Sequence, residues 1–413
     1  MRKQHPVKSI FLSGMMLVTL AGCKTADTTD AQTTDFHERL LTLDSHLDTP
    51  LVLDRKGFDI SHQHHWQRDY AQVDLPRMES GGLDGGFWVI YTAQGPLTED
   101  AYARALEHAR KRNQVIDAML AEHSAHFAAA TKAADAEEIA AAGKRIVFKS
   151  IENAYPLGED ITLLDEFYQA GVRMVGLVHV RNNQFADSST DKDGPRWNGL
   201  SPLGRDLIKR ANRLGMIVDL SHASDAALEQ AIALSATPVI LSHSGLAHHY
   251  EHPRNVGDAL LKKLAASGGV IQINSFSGYL RTLDVDPART PAFLEIYRKY
   301  QNAPGGMHEN AQAFLSARRQ LDRQYPPDYA EFSDVMDHIF HALKIMGPDH
   351  VGIGLDWDGG GGVNDLQDVA GLPKITRALR TANVSDDVIA KIWSGNLLRL
   401  MREAEKSAGT PNP

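Results

Sequence analysis

A histidine and an aspartate two residues apart, His46 and Asp48, close a short apolar run, LTLDSHLDTP at 41–50. In an extended chain residues i and i+2 point to the same side. An imidazole and a carboxylate at the end of a buried strand therefore converge on one point and make half of a metal site. Five more residues of the same chemical kind end or follow β-rich runs: Glu152, His179, His222, His243 and Asp356. A polar residue at a strand end is ordinarily a turn or helix-cap residue. These are spread along most of the chain, however, and meet only if the strands share one sheet. Nitrogen and carboxylate donors without thiolates suit Zn²⁺ or another divalent first-row ion. The set exceeds what one catalytic ion needs, so two ions sharing a bridging carboxylate is the simplest arrangement. Such a pair can polarise a carbonyl and hold a hydroxide at neutral pH.

The elements that must position these residues are eight short β-rich runs, at Leu41–Asp48, Gly85–Tyr91, Arg145–Glu152, Val172–His179, Ile217–Ser221, Pro238–His243, Val270–Asn274 and His350–Leu355. Amphipathic or Ala-rich stretches lie between them, among them Thr98–Ala130, Leu163–Ala170, Pro202–Leu214 and Asp225–Leu234. Eight strands alternating with helices predict an α/β fold, a (β/α)8 TIM-like barrel, whose chemistry sits at the C-terminal ends of the strands. Gly171, Gly215 and Gly268-Gly269 each stand between a helical stretch and a strand, as helix stops do. Residues 281–333 read as a long irregular excursion before the last strand, broken by Tyr-Pro-Pro, and loops of that length are usually lids or partner surfaces.

The chain has 413 residues, 43% of them apolar and 23% charged, which is ordinary for a globular protein with a sizeable core. A formal charge of −9 argues against a nucleic-acid partner, which needs a basic face. Residues 1–22 read as an export signal: Arg2, Lys3 and Lys8 precede an apolar run too short to span a bilayer. The run ends in Leu20-Ala21-Gly22-Cys23, which resembles the bacterial lipobox, and Cys23 is the only cysteine. The expectation is an exported protein, lipid-anchored through Cys23 on the periplasmic side of a bacterial membrane. Residues 23–36 are then a flexible tether reaching on the order of 20 Å. A single catalytic domain at 37–405, carrying the 281–333 insertion, would be followed by a short tail at 406–413.

DSHLDTP, SIENAYPLG, LVHVRNNQFADSS, GLSPLG, VDLSHAS, LSHSG, PRNV and GLDWDGGGG, in this order, resemble the membrane (renal-type) dipeptidase family of zinc metallopeptidases. That family stands among the barrel-fold, metal-dependent amidohydrolase relatives. The resemblance covers essentially all of residues 40–400. It implies that His46 and Asp48 hold one zinc, that Glu152 bridges the pair and that His222 and His243 complete the second. It further implies that His179 contacts the substrate carbonyl and stabilises the oxyanion, and that Arg254 binds the terminal carboxylate of a dipeptide. Asp356 would handle protons for the bridging hydroxide and the leaving amine. The implied activity is dipeptide hydrolysis with two Zn²⁺ per chain, tolerant of a D-residue at the C-terminal position. One departure is visible: Glu152 is followed by Asn-Ala-Tyr where mammalian members carry Gly-Gly, which bears on loop shape and substrate range.

The residues agree with those roles. A carboxylate has two oxygens, each able to reach one ion, and the guanidinium of Arg254 is a planar fork that matches a carboxylate. In the loop eleven residues past His243, Arg254 is expected to reach over the metal pair from the rim. Asp356, beside two cations, is expected to have a depressed pKa and to act as a base. Asp358 reads as structural. His62, His64 and His65 read as a solvated or lid cluster, and His248, His249 and His252 as exposed loop residues. His338 and His341 read as packed or capping positions on a helix. Gly359–Gly362 lacks the Lys-Ser/Thr of a phosphate loop and reads as a segment that lets a loop approach the site. Two other functions stay open: a barrel amidohydrolase acting on N-acyl amino acids, lactams or lactones, and a lipoprotein that binds metal or peptide without turnover. The expected partners are small dipeptides and the membrane, with room for a homodimer.

Overall fold

The computed structural model describes Thr33 and residues 35–409. The export segment, Cys23 and nearly all of the tether lie outside the described residues, as does the end of the tail. Ten parallel strands form one sheet: β1 Leu43–Leu47, β2 Gly85–Tyr91, β3 Phe127–Ala129, β4 Arg145–Glu152, β5 Val172–Gly176, β6 Ile217–Asp219, β7 Ile240–Leu246, β8 Asn255–Val256, β9 Val270–Ile273 and β10 Val351–Ile353. Eight of them follow one another around the barrel in the order β1-β2-β4-β5-β6-β7-β9-β10, with β3 beside β4 and β8 beside β7. These eight are the strands expected from the sequence. Closure comes just past the end of β10, where Leu47 bridges Trp357 and the Asp48 N–H donates to the Trp357 carbonyl at 2.8 Å.

Alternation along each strand sorts the apolar residues into two layers. Leu43, Phe87, Phe148, Met174, Ile217, Ile240 and Val270, one from each of seven barrel strands, cluster with Leu397, Leu400 and Met401 of the helix Asn396–Ser407. Most stand near the starts of their strands, so this layer and the last helix fill the N-terminal end. The adjacent positions, Trp88, Val147, Val175, Val218, Leu241 and Ile271, pack instead with helical residues such as Leu207, Leu228 and Leu261. Both strand faces are buried, which is why these runs read as nearly continuous apolar stretches. A one-residue slip would exchange the two sets, so packing fixes the register that delivers the strand-end side chains.

Local signals set the helix ends. The helix Pro202–Leu214 begins with Pro at its first turn, and the Ser201 hydroxyl accepts from the Gly204 N–H at 2.9 Å. It stops at Gly215, whose φ of 75° suits a residue without a Cβ. Ser224 caps Asp225–Leu234 in the same way.

Two expectations change. The stretch 98–130 is not one helix: Glu99–Glu122 is helical, and Phe127–Ala129 then adds a strand to the barrel edge, with Phe127 edge-on to Trp88. The excursion 281–333 is not irregular but mainly helical, with helices Arg289–Gln301, Gly306–Glu309 and Ala311–Gln324. Ala311, Phe314, Leu315 and Leu321 recur at helical spacing, and Phe314 and Leu315 bury a small separate core with Tyr70, Phe293 and Ile296. Among the described residues no helix is long and apolar enough to cross a membrane.

Candidate active site

The strand ends deliver the predicted residues to one cleft of about 260 Å³, lined by Asp48, Glu152, His179, His222, His243 and Asp356 with Tyr91, Phe276 and Tyr279. A larger hollow of about 760 Å³ beside Asp187 and His252 contains none of those six. Titratable groups converging in a small, partly apolar cleft make the former the site.

Glu152 stands at the centre. Its Oε1 lies 3.0 Å from His222 Nε2, 3.5 Å from His243 Nε2 and 3.6 Å from His179 Nε2. Its Oε2 faces His46 Nε2 at 3.7 Å, and that nitrogen is 3.6 Å from Asp48 Oδ2. Most of these gaps are too long for hydrogen bonds. Ligand bonds of 2.0–2.2 Å set neighbouring ligand atoms about 2.8–3.6 Å apart, so the spacing is close to that of a shared cation. His222 Nε2 and His243 Nε2 face each other at 2.9 Å, which a proton or a cation must reconcile. His243 is common to two neighbourhoods, since its ring also lies 3.7 Å from that of His46. Both ring nitrogens of His46, Asp48 Oδ1 and the Nδ1 atoms of His179 and His222 are buried without a hydrogen-bond partner. Buried polar atoms are rarely left so. The orphaned atoms, the donor types and the spacing all fit divalent ions. The possible ligand groups are His46–Glu152–His243, Glu152–His179–His222 and His46–Asp48–Asp356.

The electrostatics express one frustrated cluster. Burial raises Glu152, but the surrounding histidines outweigh it and hold its carboxyl well below the usual range. Burial likewise opposes charge on His46, yet Glu152 and Asp48 together keep its pKa well above the ordinary value. His222 and His243 are pushed well down by burial, with the charge of Arg254 adding to both, which leaves neutral imidazoles suited to ligation. Burial, with the Asp48 and Glu152 carboxylates adding, pushes Asp356 well up in the chain alone, whereas the depression expected of it belongs to the metal-loaded centre.

Close approach shapes the loops. A Cβ on Gly359 would collide with Asp48 Oδ2 and Asp356 Oδ1, so only glycine lets this segment pass over the two carboxylates. After Glu152 the backbone enters the left-handed region at Asn153, φ 69°. Asn tolerates that conformation, and its side chain pins the turn by donating to the Thr92 carbonyl at 3.0 Å. Asn153 thus meets the conformational need at the position where mammalian members of the resembled family carry glycine.

Two buried carboxylates that the sequence does not single out support the ligands. Asp219 accepts from the hydroxyls of Ser221 at 2.7 Å and Ser242 at 2.6 Å, and Ser242 Oγ lies 2.9 Å from His243 Nδ1. Such a relay fixes the ring and aims its other nitrogen at the cleft. Asp44 accepts from the N–H groups of His46 at 2.9 Å and Leu355 at 3.1 Å, tying β1 to the segment after β10, and burial raises its pKa to about 7. Each precedes a ligand by two or three residues, the one signal in the sequence that points to them.

Arg254 is not at the rim. It is 1% exposed, donating from Nη2 to the His243 carbonyl at 2.9 Å and from Nη1 to the Ser221 carbonyl, with its guanidinium over Tyr279. Its Nε is buried without a partner. Asp358 accepts from Thr49 and from the Gln72 N–H, a structural part as expected. His62, His64 and His65 stay outside the cleft; His62 is held to Asp59, and His64 to Asp69 and Phe58. His248, His249, His338 and His341 come together away from the cleft.

The family model for membrane dipeptidases, peptidase family M19, matches residues 30–412. Dipeptidase tcpJ of Claviceps purpurea is 32% identical over 346 residues, which are 82% of this chain and 71% of the relative. The crystal structure of the probable dipeptidase PvdM from Pseudomonas aeruginosa superposes with a TM-score of 0.78 at 31% identity, covering 92% of this chain and 100% of that one. A metallopeptidase from Rhodobacter sphaeroides, solved with a phosphinate mimic of the dipeptide L-Ala-D-Ala, shares the fold at a TM-score of 0.69 and 24% identity, over 88% of this chain and 99% of its own. Matched from before its first strand to beyond its last helix, and nearly a third identical to a dipeptidase along most of that length, the chain belongs to the membrane dipeptidase family and is a metallo-dipeptidase.

Proposed function

We propose that the enzyme hydrolyses the single peptide bond of small dipeptides with the help of two Zn²⁺ ions, which Glu152 would hold together with His46, Asp48, His222 and His243. The observation that carries this reading is Glu152, whose two oxygens face different histidines across a cleft too small for more than a short substrate. Cations bound there would supply the positive charge needed to polarise the scissile carbonyl and acidify a water. The chain does the rest. His179 lies at the edge of the cluster, its pKa lowered by burial, so a neutral ring offers one N–H to the carbonyl oxygen as charge develops on it. Asp356, buried beside His46 and Asp48, would take a proton from the attacking water and give one to the leaving amine. Arg254 supplies positive charge for the substrate carboxylate, and Tyr91, Phe276 and Tyr279 form the apolar wall against its side chains. That a fold neighbour holds a mimic of L-Ala-D-Ala supports extending the substrates to dipeptides with a C-terminal D-residue.

The test is Zn²⁺-loaded protein against L-L, L-D and D-D dipeptides, followed by amine release and by elemental analysis. At least two ions per chain, with turnover of L-L and L-D dipeptides, is expected. Turnover confined to N-acyl amino acids or lactams would replace the dipeptide reading by the broader amidohydrolase one. The same proposal has the enzyme exported and held to a membrane by lipid on Cys23, on the strength of the lipobox. Cys23→Ala is expected to move it to the soluble fraction with activity intact, and wild-type protein lacking acyl mass at its N-terminus would refute the anchor.

A further inference from the structure

Away from the cleft, three segments bring a second set of metal-competent side chains together. The loop after β7 carries His248, the helix Asp258–Ala266 opens with Asp258, and the helix Phe332–Met346 carries His341. His341 Nε2 lies 3.0 Å and 3.1 Å from the two oxygens of Asp258. The His248 ring lies against that of His341 with centroids 3.8 Å apart and planes 8° from parallel. One donor atom from each of the three residues falls within 4.8 Å of the others. His249 stands edge-on to both rings. None of these residues lines the cleft.

An ion pair between His341 and Asp258 explains two members of this group but not the third. His248 places a second imidazole on the pair and has no hydrogen-bond partner among the described residues. Two imidazoles beside one carboxylate make an incomplete coordination shell, with donors that suit Zn²⁺, Ni²⁺ or Cu²⁺ rather than Ca²⁺ or Mg²⁺. The gap between His341 and Asp258 is that of neighbouring ligands on one ion. His341 and Asp258 are carried on helices, whereas exposed His248 can turn its ring to aim a nitrogen between them.

We propose that His248, Asp258 and His341 form a peripheral transition-metal site, separate from the catalytic centre and completed by water. An ion there clips the loop after β7 to two outer helices. That loop leads to Arg254, and the helix that carries His341 holds β7 from behind, where buried His338 Nδ1 accepts from the Leu246 N–H at 3.1 Å. The site therefore braces the wall that carries His243 and Arg254.

The test is equilibrium dialysis of the full chain against micromolar Zn²⁺ with metal counted per chain, on wild type, His248→Ala and His341→Gln. Wild type should hold one ion more than either variant, and its melting temperature should rise over the last equivalent of Zn²⁺ while that of His248→Ala does not. Dipeptide hydrolysis should persist in His248→Ala, whose side chain is exposed and outside the cleft. Equal ion counts in wild type and His248→Ala overturn the proposal, whether or not His341→Gln folds. The readout is a difference between chains with the same strand ends, so an error in the catalytic ion count shifts all of them together and leaves this result intact.

Discussion

Glu152→Gln should strip metal from the catalytic centre as well as slow it. The substitution keeps the size of the side chain but removes the only anion that faces His46, His179, His222 and His243 at once. It also replaces one oxygen by an NH₂ group, which presents donors where ligand nitrogens need a cation. Breaking a buried charge pair costs about 3–5 kcal/mol, or roughly 10²–10⁴-fold in affinity and more in rate once occupancy falls. Asp356→Asn should behave differently. It lies at the edge of the ligand set and handles protons, so turnover should fall by about 10²–10⁴-fold while ion content changes much less. Ser242→Ala, which cuts the relay from Asp219 to His243, should weaken metal affinity by about 10–100-fold. Elemental analysis beside steady-state kinetics separates the three. Glu152→Gln protein that keeps its full complement of ions would remove the carboxylate from its bridging position, and wild type holding one ion or fewer after reconstitution would contradict the dinuclear centre.

What can be read from the sequence follows from where packing is repetitive. Strands buried on both faces leave apolar runs such as RIVFKSIE, and the barrel topology turns eight such runs into a ring whose ends must meet. His46, Glu152, His222 and His243 are therefore legible from residue type and spacing. Helix ends carrying their own punctuation, Ser201-Pro202 to Gly215 for example, are equally plain. The excursion is hidden because its apolar residues serve a satellite core with Tyr70, a residue far away in sequence, and are diluted by arginines and glutamines. β3 is hidden for a similar reason, since three residues make a strand only because Arg145–Glu152 offers an edge. Asp44 and Asp219 look like ordinary strand aspartates until the hydrogen bonds that consume them are seen. The four histidines His248, His249, His338 and His341 do not read as a group, because they join a loop to a helix some ninety residues later and only tertiary packing closes that gap.

Arg254→Met should cost roughly 10²–10³-fold in catalytic efficiency toward a dipeptide acid, the expected loss when one partner of a buried charge pair disappears. The structure adds a competing explanation that the experiment must separate. Arg254 lies beneath the cleft, with donors on the carbonyls of Ser221 and His243, so its removal also loosens the strand ends that carry His222 and His243. A purely structural loss would fall equally on every substrate. A lost carboxylate partner would fall only on substrates that carry the carboxylate. The measurement is therefore a cycle of two enzymes and two substrates, a dipeptide and its C-terminal amide. Wild type should prefer the acid strongly, and Arg254→Met should discriminate far less between the two. Arg254→Lys should not restore the preference, because a point ammonium cannot hold both carbonyls and still present a planar edge. The unpartnered Nε is the donor left over for that edge once the carbonyls are served. If wild type cleaves the amide as readily as the acid, Arg254 is a brace for the metal ligands alone. The enzyme would then recognise the acyl side of its substrate, as a broader barrel amidohydrolase does.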